Sequence, residues 1–278
     1  MRKRRASVTI LIVIAIFAIS PALSGCARAA NASGSGIVLA GSTSIQPFAE
    51  LLAEDYARRF PDAPVINVQG GGSTAGIEAA LSHTADLGMS SRDLKDSEKA
   101  QGLIPVAIAH DAIAIVVHPS NPVQALTSDQ VRRIFDGEIS DWSQVGGLKG
   151  RIVVVTREEG SGTRGAFEEL LMKESRITDA ALRQDSNGAV RVIVGSDPAA
   201  IGYMSLGIVG SIVKTVSLDG VMPTPQTALS GRYALVRPFL FVHVGQSRPE
   251  VQRFVDYVLS PPGQAVLANE GLIPVNGG

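Results

Sequence analysis

Three short segments combine bare backbone with hydroxyls: Gly41-Ser42-Thr43-Ser44, Gly70-Gly71-Gly72-Ser73-Thr74 and Gly160-Ser161-Gly162-Thr163. Each follows a run of β-forming residues and precedes apolar residues at helical spacing. At such a junction the first N–H groups of a helix lack an intrahelical acceptor, and the helix dipole adds partial positive charge, so an anion is stabilised there. Glycine lets the backbone approach a ligand closely, and hydroxyls add donors without net charge. One such loop is ordinary, since Ser and Thr are preferred helix caps. Three at equivalent junctions can surround one small oxyanion. Arg157, four residues before Ser161, offers planar paired donors that suit phosphate-type oxygens. Glu159 is placed to accept from Arg157 and aim its fork at the ligand, with Glu158 facing solvent.

Other chemistries find less support. No Gly-x-x-x-x-Gly-Lys-Ser/Thr pattern occurs, which excludes a nucleotide P-loop and favours a small anion over ATP. Ser161 as a nucleophile would need a base, but Gly-Ser-Gly departs from the Gly-x-Ser-x-Gly elbow. His83, His110, His118 and His243 sit in no partner motif. No His, Cys or carboxylate spacing suggests a metal site, and no cofactor is expected.

The elements that must carry these loops alternate. β-like runs at 36–41, 65–69 and 86–91 are interleaved with helix-period segments at 44–60 and 77–82, which argues an α/β fold with a largely parallel sheet. A second set follows: a helical segment within 120–135, capped by Thr127 or Ser128, a strand at 151–155, the stretch 187–200 and a β-like run at 201–206. Two helical segments close the chain. Long apolar runs at 104–118 and 233–244 separate the middle third from the ends. If both cross between halves, residues 37–112 plus 235–278 form one lobe and 113–234 another, with the ligand in the cleft between them.

The chain begins with Arg2, Lys3, Arg4 and Arg5, then ten unbroken apolar residues from Ile10 to Ile19. That run is too short to span a bilayer and has the layout of an export signal. The signal ends in Leu23-Ser24-Gly25-Cys26, and Cys26 is the chain's one cysteine. A lone cysteine forms no intramolecular disulfide, so lipid attachment explains it better than structure. Residues 1–25 are therefore expected to be removed and 26–36 to form a flexible tether of small residues. The leader holds four of the 25 basic residues and no acidic one, leaving 26 acidic against 21 basic side chains. Nothing in that balance suits nucleic acid.

The leader's end resembles the lipobox of bacterial lipoproteins. From about Ile37 onward the chain resembles the phosphate-binding lipoproteins of Pst-type ABC importers, with the type 2 periplasmic-binding-protein fold. The resemblance rests on "AGSTSIQPFAELLAEDYARRFP", "VQGGGSTAGIEAA", "ADLGMSSRDL", "NPVQALTSDQVRRIFDGEISDWSQVGG", "TREEGSGTRGAFEEL" and "AIGYMSL", in family order. It implies two lobes hinged by two crossing strands, no catalysis, docking on a membrane permease, and a monomer anchored at the outer face of the cytoplasmic membrane through Cys26. It also implies an oxyanion site built from Ser42, Thr43, Ser73, Arg157, Glu159, Ser161, Gly162 and Thr163, holding inorganic phosphate or a relative such as sulfate, molybdate or tungstate. Some family members carry an aspartate, which accepts the phosphate proton, where this chain has Ser91. Ser91 is neutral, with Arg92 beside it as an added cation; Glu159 and then Asp111 are the alternative acceptors.

Overall fold

The computed structural model describes residues 36–275. The expected signal segment, Cys26 and nearly all of the tether lie outside the described residues. Strands β1 (Ile37–Gly41), β2 (Ile66–Gly70) and β3 (Leu87–Ser90) run parallel, joined by helices α1 (Gln46–Arg59) and α2 (Ser73–Leu81). Parallel neighbours require such crossovers, and these set the hydroxyl loops at one end of the sheet. Helix α3 (Asp96–Lys99) leads into β4 (Leu103–Val117), after which come β5 (Ala125–Leu126), α4 (Ser128–Phe135), β6 (Val153–Arg157), α5 (Gly162–Phe167), β7 (Leu182–Gln184), α6 (Asn187–Ser196) and β8 (Ala200–Ser205). Short β9 (Lys214–Thr215), β10 (Ser217–Leu218) and α7 (Pro225–Leu229) precede β11 (Val236–Val244), and α8 (Pro249–Leu259), α9 (Pro261–Asn269) and β12 (Ile273–Pro274) complete the fold.

The main sheet has the order β2-β1-β3-β11-β4-β8-β6-β7, with β9 and β12 also on β4. β4 joins its two parts: Leu103 to Ala112 pair antiparallel with β11, and Ile113 to Val117 pair antiparallel with β8. The cores divide at the same place. Phe48, Leu52, Phe239, Phe241 and Phe254 belong to the first, while Phe135, Trp142, Phe167, Tyr203, Tyr233 and Leu235 belong to the second. Burying side chains of this size contributes about 1.5–3 kcal/mol each, so each half holds its own loops rigidly.

The apolar run at 233–244 differs from its expected role. Residues 236–244 pair with the part of β4 that precedes Ile113, and the passage between cores falls at the start of β11, where Val236 still packs against the second core. Among the described residues only β4 spans the junction as a continuous strand. Helix α2 begins at Ser73, four residues earlier than periodicity suggests, because Gly72 at φ 90° turns the chain sharply just before it. The segment 120–135 is helical only from Ser128, where Thr127 caps it by accepting from Gln130 N–H. Strand β6 ends at Arg157, which places that residue at the C-terminal end of an inner strand, just before the turn into α5.

Candidate functional site

The first loop leaves β1 at Gly41, whose φ is 135° and where an added Cβ would lie 2.4 Å from the Met89 carbonyl oxygen. Only glycine permits that approach, and it lets Ser42 N–H reach the same carbonyl at 2.9 Å. The Ser42 hydroxyl accepts from Ser44 N–H (3.2 Å) and donates to Ser91 Oγ (2.8 Å). Ser73, in the first turn of α2, accepts from Ser91 N–H at 3.0 Å and lies 3.3 Å from Ser91 Oγ. Ser42, Ser73 and Ser91 thus form one cluster, all buried, supplied by the ends of β1, β2 and β3.

The second half faces this cluster. Ser161 caps α5 by accepting from Arg164 N–H at 3.2 Å, which leaves its own O–H free to donate. Thr163 Oγ1 meets Ser44 Oγ at 2.9 Å, and Thr74 N–H donates to the Gly160 carbonyl at 3.0 Å. Gly162 packs so closely on the serines that a Cβ there would lie 2.2 Å from Ser73 Oγ. The expected residues Ser42, Ser73, Ser91, Gly162 and Thr163 are brought together across the two halves, and Thr43 joins them through Asn187.

Arg157 is 1% exposed. Its Nε and Nη2 donate to Glu158 at 3.0 and 2.8 Å, and to the carbonyls of Gln184 (3.2 Å) and Asp185 (3.0 Å). The expected partner Glu159 is exposed and makes no such bond. The reason is a turn: Ser161 N–H bonds the Glu158 carbonyl at 3.1 Å, which folds Glu158 back over the strand end and turns Glu159 outward. Below, Phe167 stacks on Tyr203 with centroids 4.0 Å apart, and the Tyr203 hydroxyl meets Thr156 Oγ1 at 2.7 Å. Burial pushes the Tyr203 phenol well above its ordinary range, so it stays a neutral hydrogen-bonding prop beside Arg157.

Arg92 is not the free cation its place beside Ser91 suggests. Both Nη atoms bond Glu98 at 2.8 Å, so its charge is matched. Arg157 and Arg92 are each paired with a carboxylate, and Arg237 pairs with Asp111 at 2.9 Å. Asp111 is therefore engaged by Arg237. Burial pushes its carboxyl above the usual range against the pull of that guanidinium, while Arg237 is itself drawn downward by burial yet stays charged.

Sequence reasoning missed Asn187, Ser44 and Arg237. Asn187 opens α6, is fully buried, and donates to Ser44 Oγ (2.8 Å) and Thr43 Oγ1 (3.2 Å), while its Oδ1 accepts from Ser205 N–H. Its signal was a fourth polar strand-to-helix junction, Asp185-Ser186-Asn187-Gly188. For Arg237 and Asp111 the signal was a lone charge inside each apolar strand, which requires a buried partner. Two of the four histidines bond elsewhere, His118 with Ser120 and His243 with the Gly245 carbonyl. Hydroxyls, amides and one guanidinium, held by paired charges, suit reversible capture of a compact oxyanion.

Known proteins carry the same arrangement of chain. The profile of the PBP superfamily domain matches residues 27–262. The phosphate-binding protein PstS of Pseudomonas aeruginosa is 32% identical over 291 aligned positions, covering 94% of this chain and 89% of that protein. The PstS protein of Bacillus subtilis is 29% identical over 249, covering 88% and 82%. A candidate phosphate ABC transporter substrate-binding protein from Clostridium perfringens, solved with bound phosphate, superposes with a TM-score of 0.85 at 40% identity, covering 87% of this chain and 100% of that one. An ABC-type phosphate transport receptor from Vibrio cholerae gives 0.71 at 37% identity, covering 85% and 99%. The chain belongs to the PBP superfamily and, within it, to the non-enzymatic phosphate-binding protein PstS family.

Proposed function

We propose that the chain captures inorganic phosphate outside the cytoplasm and delivers it to the permease of an ABC importer. The observation that carries this reading is the meeting of Ser42, Ser73 and Ser91 from one half with Gly162, Thr163 and Asn187 from the other, with Arg157 at the end of the strand that leads into α5. Ser161 completes the donor set from the cap of α5. The halves act as lobes, residues 37–112 with 235–278 and residues 113–234, hinged where β4 passes from β11 to β8 and where the chain re-enters at Leu235–Val236. A ligand at their interface favours the closed arrangement by as much as it contacts both lobes. Cys26 holds the protein at the outer face of the membrane by a lipid, and a monomer is sufficient because every donor comes from one chain.

Calorimetric titration of the purified domain with phosphate, sulfate and molybdate tests the reading. Micromolar binding, about −8 kcal/mol, is expected for phosphate. Tighter binding of molybdate or sulfate would reject phosphate as the cargo. Mass spectrometry of the membrane-extracted protein tests the anchor: an unmodified Cys26 thiol on the mature chain would reject it.

A further inference from the structure

Arg237 and Asp111 are register partners on β11 and β4, at the junction of the two cores. Both side chains are 1% exposed. An arginine–carboxylate pair arranged for its own stability sets two donors on two oxygens. Here Nε and Nη2 both converge on Asp111 Oδ2, at 3.2 and 2.9 Å, leaving Oδ1 without a bond to Arg237, while the Ser205 hydroxyl and the Gly207 N–H face the carboxylate. The rest of the fork reaches elsewhere: Nη1 donates to the Ser91 carbonyl at 3.1 Å and Nη2 to Ser44 Oγ at 3.1 Å.

Those two acceptors are the centres of the hydroxyl network. Ser91 meets Ser42 and Ser73 within the first half. Ser44 meets Thr163 and Asn187 from the second. A single buried cation at the strand junction therefore fixes one loop outright and reaches across the interface through one serine. A buried ion pair is costly to desolvate, and the further bonds of the fork to Ser91 and Ser44 help to offset that cost while they hold both residues in place.

We propose that Arg237 is a positioning residue for anion capture: its fork sets Ser91 and Ser44 for the ligand, and Ser44, held by Arg237, latches the second half in the closed arrangement through Thr163 and Asn187. This rests on the capture function proposed above. The latch slows release, so its loss shows in the dissociation rate more than in the association rate.

The test is stopped-flow measurement of phosphate release from the wild type, Ser44→Ala, Arg237→Lys and the double variant, with melting of each anion-free protein. Arg237→Lys keeps a charge opposite Asp111 but cannot span three acceptors. Each single variant is expected to release phosphate about tenfold faster or more, and the double variant no more than about twofold faster than the faster-releasing single one, because both break one link. Should Arg237→Lys fail to fold, Ser44→Ala alone decides. Wild-type release rates in the folded variants, additive effects, or a lowered melting temperature with unchanged release would each overturn the latch. A wild type that ignores phosphate would instead overturn the capture reading, and the latch with it.

Discussion

Glu158 holds the guanidinium of Arg157 through hydrogen bonds of 2.8 and 3.0 Å, while Glu159, the next residue, points to solvent. The turn closed by Ser161 N–H decides between them. In the proposed site Arg157 is the guanidinium that meets the ligand, so Arg157→Ala is expected to weaken phosphate binding at least tenfold, since a charge-assisted hydrogen bond contributes about 1.5–3 kcal/mol. Glu159→Gln is expected to leave affinity within about twofold. Calorimetry on both variants checks the pair; a large loss in the second would restore Glu159 to the site.

Gly162 separates closure from stability. Alanine is the better helix former by about 1 kcal/mol, so Gly162→Ala at the start of α5 should not lower the melting temperature of the anion-free protein. Its Cβ, however, would lie 2.2 Å from Ser73 Oγ and 2.7 Å from Ser91 Oγ, both rigidly placed. Phosphate binding should fall by about two orders of magnitude or more, because the halves cannot approach. Gly165→Ala is the control: its Cβ would meet the Arg92 stem at 3.0 Å, a flexible neighbour that can shift. Equal losses in the two variants would mean that the Gly162 contact is not the determinant.

In the proposed site Ser91 takes the place of the acceptor that would set selectivity. At neutral pH phosphate keeps a proton and sulfate has none, so a fixed acceptor favours the first and repels the second. The Ser91 hydroxyl already receives Ser42 O–H and can turn to donate, so it discriminates weakly. Ser91→Asp should widen the phosphate-to-sulfate affinity ratio by tenfold or more, about 1.4 kcal/mol. Competition calorimetry reads the ratio directly, and an unchanged ratio would exclude position 91 as the acceptor.

The alternation of β-runs and helix-period segments carries the strand and helix order of the first half almost residue for residue, because parallel strands bury apolar runs and their crossovers keep a 3.6 period. That Ser42, Ser73, Gly162 and Thr163 would come together was readable for the same reason, since each sits at a junction whose chemistry is local, whereas Ser91 entered only through the family resemblance. What long-range geometry decides was not legible. Glu158 and Glu159 are indistinguishable until the turn at Ser161 is formed, and Arg92 looks free until α3 brings Glu98 to it. Asp111 and Arg237 are 126 positions apart, and only the β4–β11 register joins them.

That Arg92–Glu98 pair gives the fold a defined acid limit. Burial works to raise the Glu98 carboxyl, but two hydrogen bonds from Arg92 and one from Lys95 N–H outweigh it and hold Glu98 below its ordinary value of 4.5. A carboxylate depressed in the folded state binds a proton less readily there than in the unfolded chain. Its stabilisation is therefore complete above pH 4.5 and is lost as pH falls through the folded value. Glu98→Gln keeps the shape, removes the charge and leaves Arg92 unmatched. At neutral pH this should lower the melting temperature by about 3–10 °C, from the strength of hydrogen bonds to charged groups and the size of the domain. The gap between wild type and variant should then narrow as the pH is taken from about 5 to about 3. Differential scanning calorimetry across that range tests it: two curves that stay parallel would mean that Glu98 is not a source of the acid sensitivity.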